Sequence, residues 1–75
     1  MITDKLRDHL TTIAAERPRR MSALTMLQPF TEPRERMATC RALRAIVDGR
    51  EWVPGVKVTG DICNNIVVIY DVRPA

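Results

Sequence analysis

The apolar pattern changes period once, at Gly49, and that switch constrains the fold more than any other feature of the chain. Before Gly49, apolar side chains recur every three or four residues, the spacing of a helix face. After it they are β-branched or aromatic and come in short runs. Helical segments followed by strand segments predict an α+β fold, three helices and then a C-terminal antiparallel β-hairpin. With 75 residues the chain is expected to form one small domain, residues 1–75, whose modest core leaves little room for a large active-site cleft.

Ile2, Leu6, Leu10, Ile13 and Ala14 fall on one helical face, with Asp4, Lys5, Arg7, Asp8 and Thr12 on the other, which predicts a first helix over about 3–17. Thr3 can cap it, and Pro18 pushes Arg17 out of helical geometry. A basic link, Arg17-Pro18-Arg19-Arg20, leads to a short second helix over 22–28, with Ser22 as its N-cap and Met21 and Met26 placed to staple it, ended by Pro29. Thr31 can cap a third helix over about 32–48. Pro33 sits harmlessly in its first turn, and Gly49 stops it. On that helix Cys40, Leu43, Ile46 and Val47 form one stripe, flanked by Met37 and Thr39. Opposite lie Arg34, Ala38, Arg41, Ala42 and Ala45, with Arg44 at the border.

Residues 55–60 and 65–72 predict the hairpin, with turn-forming residues at Gly60-Asp61 and Asn64-Asn65. Simple alternation places Val56, Val58, Ile66, Val68, Tyr70 and Val72 inward and Lys57, Thr59, Val67, Ile69 and Asp71 outward. Outward Val67 and Ile69, beside an unpaired strand edge, then predict a homodimer formed through the hairpin. The alternative is that the N-terminal segment or Glu51–Val53 covers them within one chain. Trp52, directly after the helix stop, is expected to pack the strands onto the helices, with ligand stacking as the lesser reading.

Charge and chemistry bound the function. Twelve Lys and Arg against nine Asp and Glu give a net charge of +3, which permits an anionic partner without demanding one. Ten of the twelve cations are Arg, a side chain suited to bidentate contact with phosphate or carboxylate, although a GC-rich genome produces the same bias. Two cysteines and one histidine without CxxC or HxxxH spacing predict no metal site and two reduced thiols, Cys40 buried, in a cytoplasmic protein. No apolar run approaches a membrane span, and the N-terminus lacks the core of a signal peptide. His9 reads as a boundary residue rather than a base. Glu32 and Glu35 complement a helix N-terminus rather than forming an acid–base pair. With no phosphate loop, nucleophile elbow or carboxylate metal spacing, no cofactor and no catalytic activity are expected.

Between Ser22 and Val72, the short helix, the brief turn, the longer helix and the hairpin together resemble a winged helix-turn-helix domain. The turn is Pro29-Phe30, and Met26 or Leu27 stands where such motifs usually hold a small residue. The resemblance implies a small regulatory protein that binds double-stranded DNA, with the segment Thr39-Cys40-Arg41-Ala42-Leu43-Arg44-Ala45-Ile46-Val47 as the body of its reader. It implies Arg41 and Arg44 as contacts to phosphate or guanine, with Arg34, Arg19 and Arg20 as further nucleic-acid contacts and Lys57 on the wing touching phosphate. Paired readers on two half-sites would suit a dimer. An exposed Arg/Ala face serves equally for a close protein contact, so the alternative is a small modulator or inhibitor of a larger protein, as encoded by phage or plasmid genomes.

Overall fold

The structure is a computed structural model that describes residues 2–16 and 27–75. Two helices, α1 (Asp4–Glu16) and α2 (Pro33–Val47), precede two strands, β1 (Val56–Cys63) and β2 (Ile66–Pro74), which pair antiparallel. The class is α+β with a C-terminal hairpin. Among the described residues there are two helices rather than three. The short helix expected over 22–28 falls, but for its last two residues, outside them, and α2 is the helix expected third. No helix among the described residues is long and apolar enough to cross a membrane.

Both helices end where local chemistry directs. The Leu6 amide donates to Thr3 Oγ1 at 3.2 Å, satisfying one of the first-turn donors that lack an intrahelical partner. Leu6, Leu10, Ile13 and Ala14 form the buried stripe of α1. Helix α2 starts one residue later than expected: Glu32, not Thr31, is its N-cap, with extended backbone and no side-chain cap bond, and Pro33 follows. At the other end Gly49 takes φ of 79°. Its amide donates to the Ile46 carbonyl at 3.1 Å and the Arg50 amide to the Ala45 carbonyl at 2.9 Å, the paired bonds of a Schellman stop.

Helix α2 presents a different face to the core from the one expected. Thr39, Ala42, Leu43 and Ala45 are the buried residues, with Ile46 and Val47 partly buried against a core built from α1, Phe30 and the hairpin. The amides of Arg50 and Glu51 close over the end of the helix by donating to the Ala45 carbonyl. Ala42 and Ala45 were expected outward and Cys40 inward, and each is the reverse. Small alanine side chains allow the close approach.

The hairpin departs from simple alternation for one reason. Thr59 pairs with Asp71 and Gly60 with Ile69, so Tyr70 has no partner on β1 and forms a bulge. Inward positions on β2 are Val72 on one side of the bulge and Ile69 and Val67 on the other. Counting by twos from Val72 across Tyr70 assigns the wrong face to everything beyond it. Ile69 is buried in the core and Val67 packs against it, whereas Ile66 and Tyr70, expected inward, are exposed. The outward apolar face on which a Val67–Ile69 dimer was expected is therefore the inner face. Gly60 makes the bulge possible: a Cβ there would collide with the Val68 carbonyl oxygen and lie 3.0 Å from Val47 Cγ2. Strand β1 runs through Gly60-Asp61 to Cys63, and the only turn of the hairpin is Asn64-Asn65, both with positive φ (51° and 65°). That is the two-residue geometry whose twist matches antiparallel strands.

A lone two-stranded hairpin is marginal in water and needs a helix packed on it. Here α1 lies mainly on β2 and α2 mainly on β1, and Phe30 joins the two halves. Its side chain is fully buried. The His9 ring meets it edge-on, with centroids 5.7 Å apart, and Lys5 Nζ lies 5.0 Å from its centroid. Its amide donates to the Leu27 carbonyl at 2.9 Å and its carbonyl accepts from Arg36 Nε at 2.6 Å. Trp52 is not part of this core. Val53 takes the inward position, and in an extended segment the preceding side chain then points out, leaving Trp52 72% exposed.

Two stability outcomes follow from these contacts. Phe30→Ala should cost about 3–5 kcal/mol through lost burial and the cavity left behind, measured by urea unfolding; a loss below about 1 kcal/mol would show that the two halves hold together without it. Gly60→Ala should cost about 1–3 kcal/mol by overpacking at the bulge, and an unchanged thermal midpoint would mean the register lacks the irregularity at Thr59/Gly60.

Candidate functional site

Helix α2 is covered more completely toward its C-terminus. From Ala42 to Val47 every residue is buried or partly buried, whereas from Pro33 to Arg41 Thr39 is buried and Glu35 and Arg36 are partly buried, leaving the opposite side exposed. Near its C-terminus α2 places Val47 against Gly60; one turn earlier, Arg44 Nη2 donates to Asn65 Oδ1 in the hairpin turn at 3.4 Å. Moving toward the helix N-terminus is thus moving past the hairpin turn, and there the first half of α2 is held on one side by the Lys5–Glu35 pair and the Arg36 bond to the Phe30 carbonyl and exposed on the other. Its exposed stripe is Arg34, Met37, Ala38 and Arg41, with Cys40 beside it at the i, i+3, i+4, i+7 spacing of one face.

The electrostatics of the stripe follow from where the carboxylates go. Glu35 pairs with Lys5 at 3.0 Å, Asp4 with Arg7 at 2.9 Å, Asp48 with Arg50 at 3.2 Å, and Asp71 with Arg73. Arg34 and Arg41 have no ion pair among the described residues, and Arg44 has only its long bond to Asn65. Exposed pairs contribute little stability, but unpaired guanidiniums leave a local positive potential open to an outside anion.

Of the residues expected at a nucleic-acid interface, the fold brings Arg34, Arg41 and Arg44 onto one helix. It does not bring Lys57 to them. Lys57 pairs with Arg73 at the far end of the hairpin, six residues, or about 20 Å, along the strand from Cys63 at the turn. Arg19 and Arg20 lie outside the described residues.

Between α2 and the hairpin turn runs an open groove of about 380 Å³. Leu27, Leu43, Val67 and Ile69 supply its apolar walls, Cys40, Asn65 and Ile66 lie along it, and Arg41 and Arg44 complete the lining. Among the described residues no carboxylate lines it. Met37 on the neighbouring stripe and Ile66 at the turn are both more than half exposed. The sequence reading missed Cys40 and Ile66 as surface residues because their exposure depends on the turn of α2 and on the bulge. A glycine inside an alternating strand was the one available signal for the bulge. A second, shallower depression is formed by Ile2, Arg50, Glu51 and Trp52.

No protein-family model, no curated protein and no solved structure matches the chain.

The exposure of Cys40 is directly checkable, since an accessible thiol reacts in the native state and a buried one does not. In a Cys63→Ser protein, a maleimide should modify Cys40 under native conditions at a rate approaching that of the unfolded chain. Modification only after denaturant is added would return Cys40 to the buried stripe.

Proposed function

We propose that the chain is a small, non-catalytic DNA-binding regulatory protein with α2 as its reader. The open face of α2 carries this reading: Thr39, Ala42, Leu43 and Ala45 are held in the core while Arg34, Met37, Ala38 and Arg41 face outward along the N-terminal half, the part of a reader helix that meets base edges in a major groove. Arg34 and Arg41 bring two guanidiniums with no ion pair among the described residues to that half, about two turns apart on one face. Ala38 between them keeps the backbone free to approach closely. The order of helix and hairpin is in keeping with a winged helix-turn-helix domain. In this chain Asn64 and Asn65, rather than Lys57, stand beside the reader, so the hairpin would contribute hydrogen bonds and not charge.

Binding of a random-sequence duplex, followed by fluorescence anisotropy at several salt concentrations, tests the reading. Affinity should fall with salt, and Arg34→Ala and Arg41→Ala should each weaken binding by about 1–3 kcal/mol without changing the thermal midpoint. Parent and double variant binding equally well at low salt would end it.

A second reading, a modulator that binds another protein, is favoured by a different observation, the apolar groove. Its lining of Arg and aliphatic side chains, with no Lys or Glu among the described residues, has the composition of an interface core.

A further inference from the structure

Resting on the protein-binding reading, we infer that the groove between α2 and the hairpin turn takes an acidic amphipathic segment of a partner protein, its apolar side chains on Leu27, Val67 and Ile66 and its carboxylates on Arg41 and Arg44. Each half of that description comes from what the groove would otherwise leave unsatisfied. An exposed apolar trough gains nothing from a bare phosphate chain, because removing Ile66, Val67 and Leu27 from water requires apolar atoms from the other side. A wholly apolar occupant fails differently: it would take two guanidiniums out of water with no counter-charge, which costs more than the burial returns. A segment that alternates large apolar side chains with Asp or Glu meets both demands, and the planar fork of Arg matches a carboxylate in bidentate fashion.

Four of the chain's own carboxylates, Glu35, Asp48, Asp71 and Asp4, are already held by Lys5, Arg50, Arg73 and Arg7. The exposed side of α1 in a second copy is not uniformly acidic, since it mixes Lys5 and Arg7 with Asp4 and Asp8. Arg44 is available to a partner, since its bond to Asn65 is a single one at 3.4 Å on an exposed site. The mode is the apolar stripe of one segment laid in the groove of another, with charge at the rim setting specificity and orientation.

The test is selection of a displayed library of random short peptides on the full chain, with counter-selection on Ile66→Asp. Ile66 is exposed, so this variant should keep the parent's thermal midpoint. The inference expects enriched peptides to combine Leu, Ile or Phe with Asp or Glu. Synthetic copies should bind the parent at least about tenfold more tightly than Arg41→Glu, Arg44→Glu, bind Arg34→Ala unchanged, and slow maleimide modification of Cys40 in the Cys63→Ser protein. Enrichment of basic or uncharged peptides, or binding that leaves Cys40 reactivity unaltered, would overturn the inference while leaving a protein-binding role standing. No peptide preferring the parent to Ile66→Asp would overturn both. Protection of Cys40 by duplex DNA alone, or by raising the protein concentration alone, would assign the groove to nucleic acid or to a second copy and equally refute the inference.

Discussion

Burial of Phe30 between the two helices is the constraint on which the remaining structure rests. Neither helix alone covers the hairpin, and a two-stranded sheet cannot hold itself together in water. The Phe30 ring meets His9 and Lys5 of α1 and its backbone carbonyl accepts from Arg36 of α2, so this one residue links two helices packed mainly on different strands. Its backbone is held as tightly as its side chain, with the amide and the carbonyl both engaged. The Lys5–Glu35 pair spans the same junction but is too exposed to carry it. In a core this small, one large apolar side chain is a substantial part of the whole.

The bulge at Tyr70 is the second determinant, because it decides which surface the molecule presents. By skipping one residue, β2 turns Val67, Ile69 and Val72 to the same face, and the helices receive a continuous apolar sheet. The other face receives Tyr70 and Ile66. A strand without the bulge would have exposed Val67 and Ile69 and buried Ile66. Such a molecule would have had a sticky sheet and no groove beside α2.

Functionally, the division of α2 matters more than its charge. Burying Thr39, Ala42 and Leu43 while leaving Arg34, Met37, Ala38 and Arg41 exposed gives an outward face on a helix fixed along its inner side. The groove lies beside that face, where the hairpin turn meets the helix at Arg44, in its last turn. The projecting stripe and the groove share Arg41 and differ in Arg34 and Ile66, so a duplex and an acidic segment of a partner would compete at one edge of each site. That makes the two readings separable by mutation even though they lie side by side.

Local chemistry is what the sequence by itself determined. Helix periodicity fixed the buried stripe of α1, Thr3 its start, Pro33 and Gly49 the extent of α2, and Asn64-Asn65 the hairpin turn; each depends on contacts within a few residues, which neighbouring letters can specify. The placement of Arg34 and Arg41 on an outward face of α2 was legible for the same reason. The facing of Ala42, Ala45 and Cys40, the role of Phe30, the exposure of Trp52 and the reversal at Val67 and Ile69 were not legible. The first depends on which side of α2 the hairpin and the rest of the core pack against. The second depends on a void between elements far apart in sequence, and the third on Val53 taking the inward place. The last depends on a bulge whose register only the partner strand reveals. Tertiary structure decided these because a residue's burial is a property of what lies opposite it, and here what lies opposite comes from another part of the chain.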